Sequence, residues 1–164
     1  MENGRSIEPE RKYDLEERLL DFAAAVIDVS EKVPATRAGN HIGGQLLRSG
    51  TSPYGNHAEA QEPESADDFI HKMKVCLKEL REARRWSRLI EQKRWLGKDA
   101  QLALVLKEVE ELIRIFKASI RTAEHNRALG AQPKAGRANP ADRNAPRPEV
   151  RSPSPKPPLP QAVP

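Results

Sequence analysis

Five cations, Lys74, Lys78, Arg81, Arg85 and Arg88, recur at spacings of four, three, four and three, the period that lines side chains along one face of an α-helix. At 1.5 Å of rise per residue the line is about 21 Å long, the scale of several successive phosphates on a nucleic-acid strand. No acid falls on it, because Glu79 and Glu82 project from another side. Such a ridge binds a sugar-phosphate backbone without reading sequence, since phosphates carry none. A competing reading comes from Glu17, Asp21, Asp28 and Glu31, a matching acidic stripe upstream. If the two stripes meet, within one molecule or between subunits, the ridge is a paired or solvated face and not a ligand site. Trp86 and Trp95 lie toward the end of the same segment, either to stack on bases or to cover one end of the fold.

A second constellation is Arg48, Ser52, Asn56 and Glu59, at spacings of four, four and three, which brings the four side chains together on one helix face. The expectation is a structural polar network in which Arg48 and Glu59 find partners on neighbouring helices; a ligand site is the minor alternative. Catalytic chemistry has no candidates. His41, His57, His71 and His125 show no metal-ligand spacing, and His57-Ala58-Glu59 matches half of a zinc deaminase signature whose Cys pair is missing, Cys76 being the single cysteine. Cys76 falls on an apolar stripe, as a small buried thiol does. No phosphate-binding glycine loop, nucleophile elbow or carboxylate pair is visible. The chain is therefore expected to be no enzyme, with no metal and no cofactor.

The elements that must position these groups are helical. Asp14 caps a first helix, with Glu17 completing a capping-box pattern, and Leu15, Leu19, Phe22, Val26, Val29 and Val33 form its stripe until Pro34 ends it. A second helix runs from about Thr36 to Gln61 with Ile42 and Leu46 as core residues. It is rich in small residues (Gly43, Gly44, Ser49, Gly50, Ser52, Gly55, Ala58) that suit close backbone approach, and Pro53 is expected to bend it. Ser65 caps a third, with Phe69, Met73, Cys76, Leu80, Ala83, Ser87 and Ile90 inward, ending near Trp95 with Gly97 as the left-handed stop. Asp99 begins a fourth, whose stripe is Leu102, Val105, Leu106, Val109, Leu112, Ile113, Phe116 and Ile120, continuing to about Ala128. Four helices of similar length with short connectors predict an all-α fold, an antiparallel up-down-up-down four-helix bundle over residues 14–128.

Composition changes sharply outside that span. Ten of the 14 prolines follow residue 130, and residues 129–164 read as a disordered, basic, Pro-rich C-terminal tail with too few apolar residues to offset chain entropy. Pro155 to Pro160 suit a short polyproline II segment, although a solvated tail is the simpler reading. Residues 1–13 read as a flexible N-terminus without the apolar stretch of a signal peptide, and no run of apolar residues is long enough for a membrane span. A single cysteine fits a reducing, cytoplasmic setting. The net charge of +4 belongs entirely to the tail, because the first 130 residues carry 22 cations and 22 anions; only the distribution of charge on the folded part is informative. Leu20 and Ile27, and Leu104 and Ile115, sit away from the main stripes of the first and fourth helices, surplus apolar surface that suits subunit contacts, or a wide core stripe in the first helix.

The run Gln45-Leu46-Leu47-Arg48-Ser49-Gly50-Thr51-Ser52-Pro53, then Asn56, Ala58, Glu59, Ser65, Phe69 and Leu77-Lys78-Glu79-Leu80, resembles the bacterial 23S ribosomal RNA intervening-sequence proteins over about residues 13–126. His57 departs from the resemblance, standing where the family usually has an apolar residue. The resemblance implies a four-helix bundle assembling into a ring-like homo-oligomer, often a pentamer, with no cofactor and no established catalytic activity. The segment is also similar to the accessory subunits of diversity-generating retroelements, basic bundles that bind nucleic acid and a reverse transcriptase. Two functional expectations follow: RNA or DNA backbone binding through the ridge, and alternatively a scaffold or accessory subunit whose charged stripes pair with a reverse transcriptase or another protein partner.

Overall fold

Four side chains start the four helices. The Asp14 carboxylate accepts from the Glu16 amide (3.0 Å), the Thr36 hydroxyl from Gly39 (3.1 Å), the Ser65 hydroxyl from Asp68 (3.1 Å) and the Asp99 carboxylate from Leu102 (2.8 Å), each satisfying an amide that the helix itself leaves unpaired. The computed structural model describes residues 14–130. It contains α1 (Leu15–Lys32), α2 (Arg37–Gln61), α3 (Ala66–Lys93) and α4 (Ala100–Ala128), and no strand among the described residues. The expected flexible N-terminus, and the tail from Ala131 onward with Pro155 to Pro160, lie outside the described residues.

Side-chain pairings fix the topology. Lys32 of α1 reaches Asp99 at the start of α4, while Arg18 reaches Glu108 further along it; Arg48 of α2 meets Glu79 and Glu82 of α3; and α3 meets α4 through Arg84 with Glu110 and Lys74 with Glu124. With Cys76 of α3 directed at the Pro53 carbonyl of α2, and Gly43 and Gly50 of α2 set against Ser30 and Val26 of α1, the chain positions of every adjoining pair run in opposite senses. The bundle is therefore antiparallel and up-down-up-down, with α1 packed on α2 and α4, α3 packed on α2 and α4, and α1 and α3 on opposite corners.

The core is a single apolar cluster in which Leu19, Phe22, Val26, Leu46, Leu80, Ile90, Val109, Leu112 and Phe116 are fully buried. Departures from the expected stripes have local causes. Leu15, Val33, Ile42, Phe69 and Leu106 sit near helix ends or core edges and are half-buried, whereas Ile70 and Leu77 are buried. In α2 the close approach to α1 side chains is concentrated at Gly50, where a Cβ would fall 2.5 Å from Val26 Cγ1, while Gly39 meets the Pro34 carbonyl of the preceding turn; Gly44 and Gly55 face open space. The left-handed residue that ends α3 is Arg94 (φ 53°), whose amide bonds to the Glu91 carbonyl, and Gly97 (φ 61°) closes the following turn through its bond to Arg94. Glycine at 97, the expected stop, thus serves the connector, one turn beyond the observed stop at Arg94.

Candidate nucleic-acid interface

Lys74, Lys78, Arg81, Arg85 and Arg88 are all exposed along the outer flank of α3, because Met73, Cys76, Leu80, Ala83, Ser87 and Ile90 fill the inner one. Lys74 pairs with Glu124 of α4 at 2.7 Å, holding that carboxyl below its ordinary range by hydrogen bond and charge. The other four have no ion-pair partner among the described residues. Four charges in a row without an ion pair among the described residues make a positive surface suited to a polyanion.

The acidic stripe is elsewhere. Glu17, Asp21, Asp28 and Glu31 are exposed on α1, diagonally opposite α3, so the two stripes do not meet within one molecule. Glu79 and Glu82 point to α2, where the Arg48 guanidinium takes both, at 3.5 and 2.7 Å. Glu79 is one of few buried charged side chains, and it is tolerable there because of this cation. The Trp86 indole donates to Glu82 (3.3 Å) and meets the His41 ring edge-on, while Trp95 packs against the core edge. Neither tryptophan lies on the cation line.

The polar constellation of α2 divides into separate contacts. Arg48 crosses to α3, as expected; the Asn56 amide donates to the Ser52 hydroxyl and carbonyl, both at 2.9 Å. Glu59 departs from expectation: it is exposed and makes no hydrogen bond among the described residues, because Lys72, the α3 cation within its field, is held by Asp68 at 3.0 Å. That contact keeps the Asp68 carboxyl below its ordinary range.

The potentially reactive groups are occupied structurally. Cys76 is fully buried, its thiol directed at the Pro53 carbonyl (3.7 Å), and burial pushes its pKa up to about 12, away from any thiolate role. His57 is buried edge-on to Phe116, with Nε2 beside the Gln61 amide (3.0 Å) and Nδ1 unpartnered; burial lowers its pKa against the weaker opposing pull of Glu16 and Asp14. No His, Cys, Asp and Glu group suited to a metal occurs among the described residues, and no described helix is long and apolar enough to cross a membrane.

Sequence reasoning missed a second set of cations on α4. Glu110, Lys117 and Glu124 recur every seven residues, hence on one flank, and since Glu110 and Glu124 both reach α3, Lys117 lies on the α3 side between them. Arg114 and Arg121 sit beside it, all three exposed. Their spacing of three and four was visible in the sequence; the register of α4 against α3 was not.

No curated protein matches. A protein of unknown function from the S23 ribosomal protein family of Bacteroides thetaiotaomicron VPI-5482, solved by crystallography, superposes with a TM-score of 0.59 at 26% identity, covering 64% of this chain and 96% of that one. The family model of the 23S rRNA-intervening sequence proteins matches residues 11–118, which contain the Arg48 constellation and the entire cation line, and the chain belongs to that family.

Proposed function

We propose that this protein is a non-catalytic, oligomeric helical bundle that binds RNA or DNA backbone through Lys78, Arg81, Arg85 and Arg88, with Lys74 at one end. The observation that carries the reading is that those four exposed cations have no ion-pair partner among the described residues, with α1 and its acids at the opposite corner of the bundle. A line of this length contacts several phosphates, so affinity falls steeply with salt. Titration of a short structured RNA with the Arg81→Glu/Arg85→Glu variant tests it: the expected result is a large loss of binding, and unchanged binding would sink the reading.

Self-association is the second part of the proposal. Leu20 (42% exposed) and Ile27 (44%) of α1 share the outer α1–α2 side with Leu47 of α2, an apolar surface separate from the cation line. On α4 only Leu104 is well exposed; Ile115 is half-buried. A two-fold dimer built on this surface leaves the α3–α4 side open to solvent in both subunits, whereas a ring needs a second patch on each subunit.

A further inference from the structure

The α3 line has a companion. Arg114, Lys117 and Arg121 repeat at spacings of three and four on the adjoining flank of α4, all exposed, and the antiparallel register set by Arg84 with Glu110 and Lys74 with Glu124 places them beside the Lys74 to Arg81 stretch. Of the acids along these flanks, Glu110 is engaged by Arg84, Glu124 by Lys74, Glu111 by Arg114 and Asp67 by Arg127, while Glu91, at the far end beyond Arg88, is exposed without an ion pair among the described residues. Lys78, Arg81, Arg85, Arg88, Lys117 and Arg121 have no ion-pair partner among the described residues.

Packed helices stand about 8–10 Å apart, so two cation rows separated by roughly that distance run along one side of the bundle. Grooves of a double helix are bordered by two phosphate backbones about 6 to 12 Å apart, a separation that flexible Lys and Arg side chains span from such rows. A single strand offers only one backbone. Proteins that hold single strands also stack bases on aromatic rings, and this side has none among the described residues: Phe22 and Phe116 are in the core, Tyr54, Phe69 and Trp95 pack against it, and Trp86 faces α2.

We infer that the α3–α4 side takes a double-helical nucleic acid, the α3 row following one backbone and the α4 row the other. This rests on the phosphate-binding reading above and adds the class of ligand and the residues Lys117 and Arg121. Position along the duplex is set by backbone geometry, without base contacts.

The test is fluorescence anisotropy of the full chain with three labelled probes of matched length: a duplex RNA, a duplex DNA and an oligouridine strand. Wild type is compared with Lys117→Ala/Arg121→Ala and Arg81→Ala/Arg85→Ala, whose exposed positions leave folding intact, as circular dichroism will verify. The expected result is duplex binding about tenfold tighter than the single strand at moderate salt, with both variants weakening it several-fold. Either duplex binding the tighter supports the inference and identifies the helical form preferred. Oligouridine bound as well as the duplexes overturns it. Duplex affinity unchanged in Lys117→Ala/Arg121→Ala but reduced in Arg81→Ala/Arg85→Ala overturns the second row and leaves phosphate binding standing. Failure of all three probes, or indifference to both variants, overturns both.

Discussion

Gly50 of α2 packs so closely on Val26 of α1 that a Cβ on the glycine would fall 2.5 Å from Val26 Cγ1 and 3.0 Å from its Cβ. Val26 is fully buried, and its β-branched side chain has little rotamer freedom within a helix. Gly50→Ala should therefore destabilise the bundle by about 1–3 kcal/mol through overpacking. Gly44→Ala, whose Cβ meets open space, should stabilise it by up to about 1 kcal/mol through helix propensity. Urea unfolding of both at one protein concentration checks the pair; changes of the same sign would contradict the packing argument.

Arg48 supports a buried acid. Its guanidinium bridges Glu79, whose side chain is 8% exposed, and Glu82. Arg48→Met should cost about 1–3 kcal/mol, less than a fully buried pair would, because the arginine itself is largely in solvent. Adding Glu79→Gln should recover part of the loss, since an amide tolerates burial better than an unpaired carboxylate. A double-mutant cycle in urea measures the coupling, and additive effects would show that the contact contributes nothing.

His57 should make stability fall in mild acid. Burial lowers its pKa below the ordinary 6.5, so between the folded value and 6.5 the unfolded chain binds a proton that the folded chain does not. Stability is complete above that window and declines as pH drops through it. The carboxyls of Asp68, Asp99 and Glu124 are held below their ordinary values, so their contributions are lost only at lower pH. Unfolding at about pH 7.5 and about pH 5.5 should show a difference that His57→Leu reduces; an identical difference in both proteins would contradict the assignment.

These expectations draw on features of unequal legibility. The helix starts were readable because Asp14, Thr36, Ser65 and Asp99 act within three residues of themselves. The cation line was readable because it belongs to one helix. Which acids it meets was not, since placing α1 diagonally from α3 depends on how all four helices pack. The same holds for Lys117 and Arg121, whose place beside α3 follows from the register of two helices, and for Glu59, whose opposite cation Lys72 prefers a partner within its own helix. Arg94 took the left-handed position expected of Gly97 because α3 ends at Lys93, before its last apolar residues.

The proposed self-association should depend on the α1–α2 side. Leu20→Glu/Ile27→Glu places two carboxylates in that exposed apolar surface and should convert the oligomer to smaller species in size-exclusion chromatography with light scattering, while helix content stays unchanged. An unaltered mass would place the subunit contact elsewhere.

The most direct measurement of the central claim is the salt dependence of binding to one duplex RNA, for wild type and Arg81→Ala/Arg85→Ala. Each phosphate contact contributes about 0.7–0.9 to the slope of log affinity against log salt. Removing two contacts should make the slope shallower by about 1.4–1.8 and weaken binding most at low salt. The same slope and the same affinity in both proteins would contradict backbone binding by the α3 line.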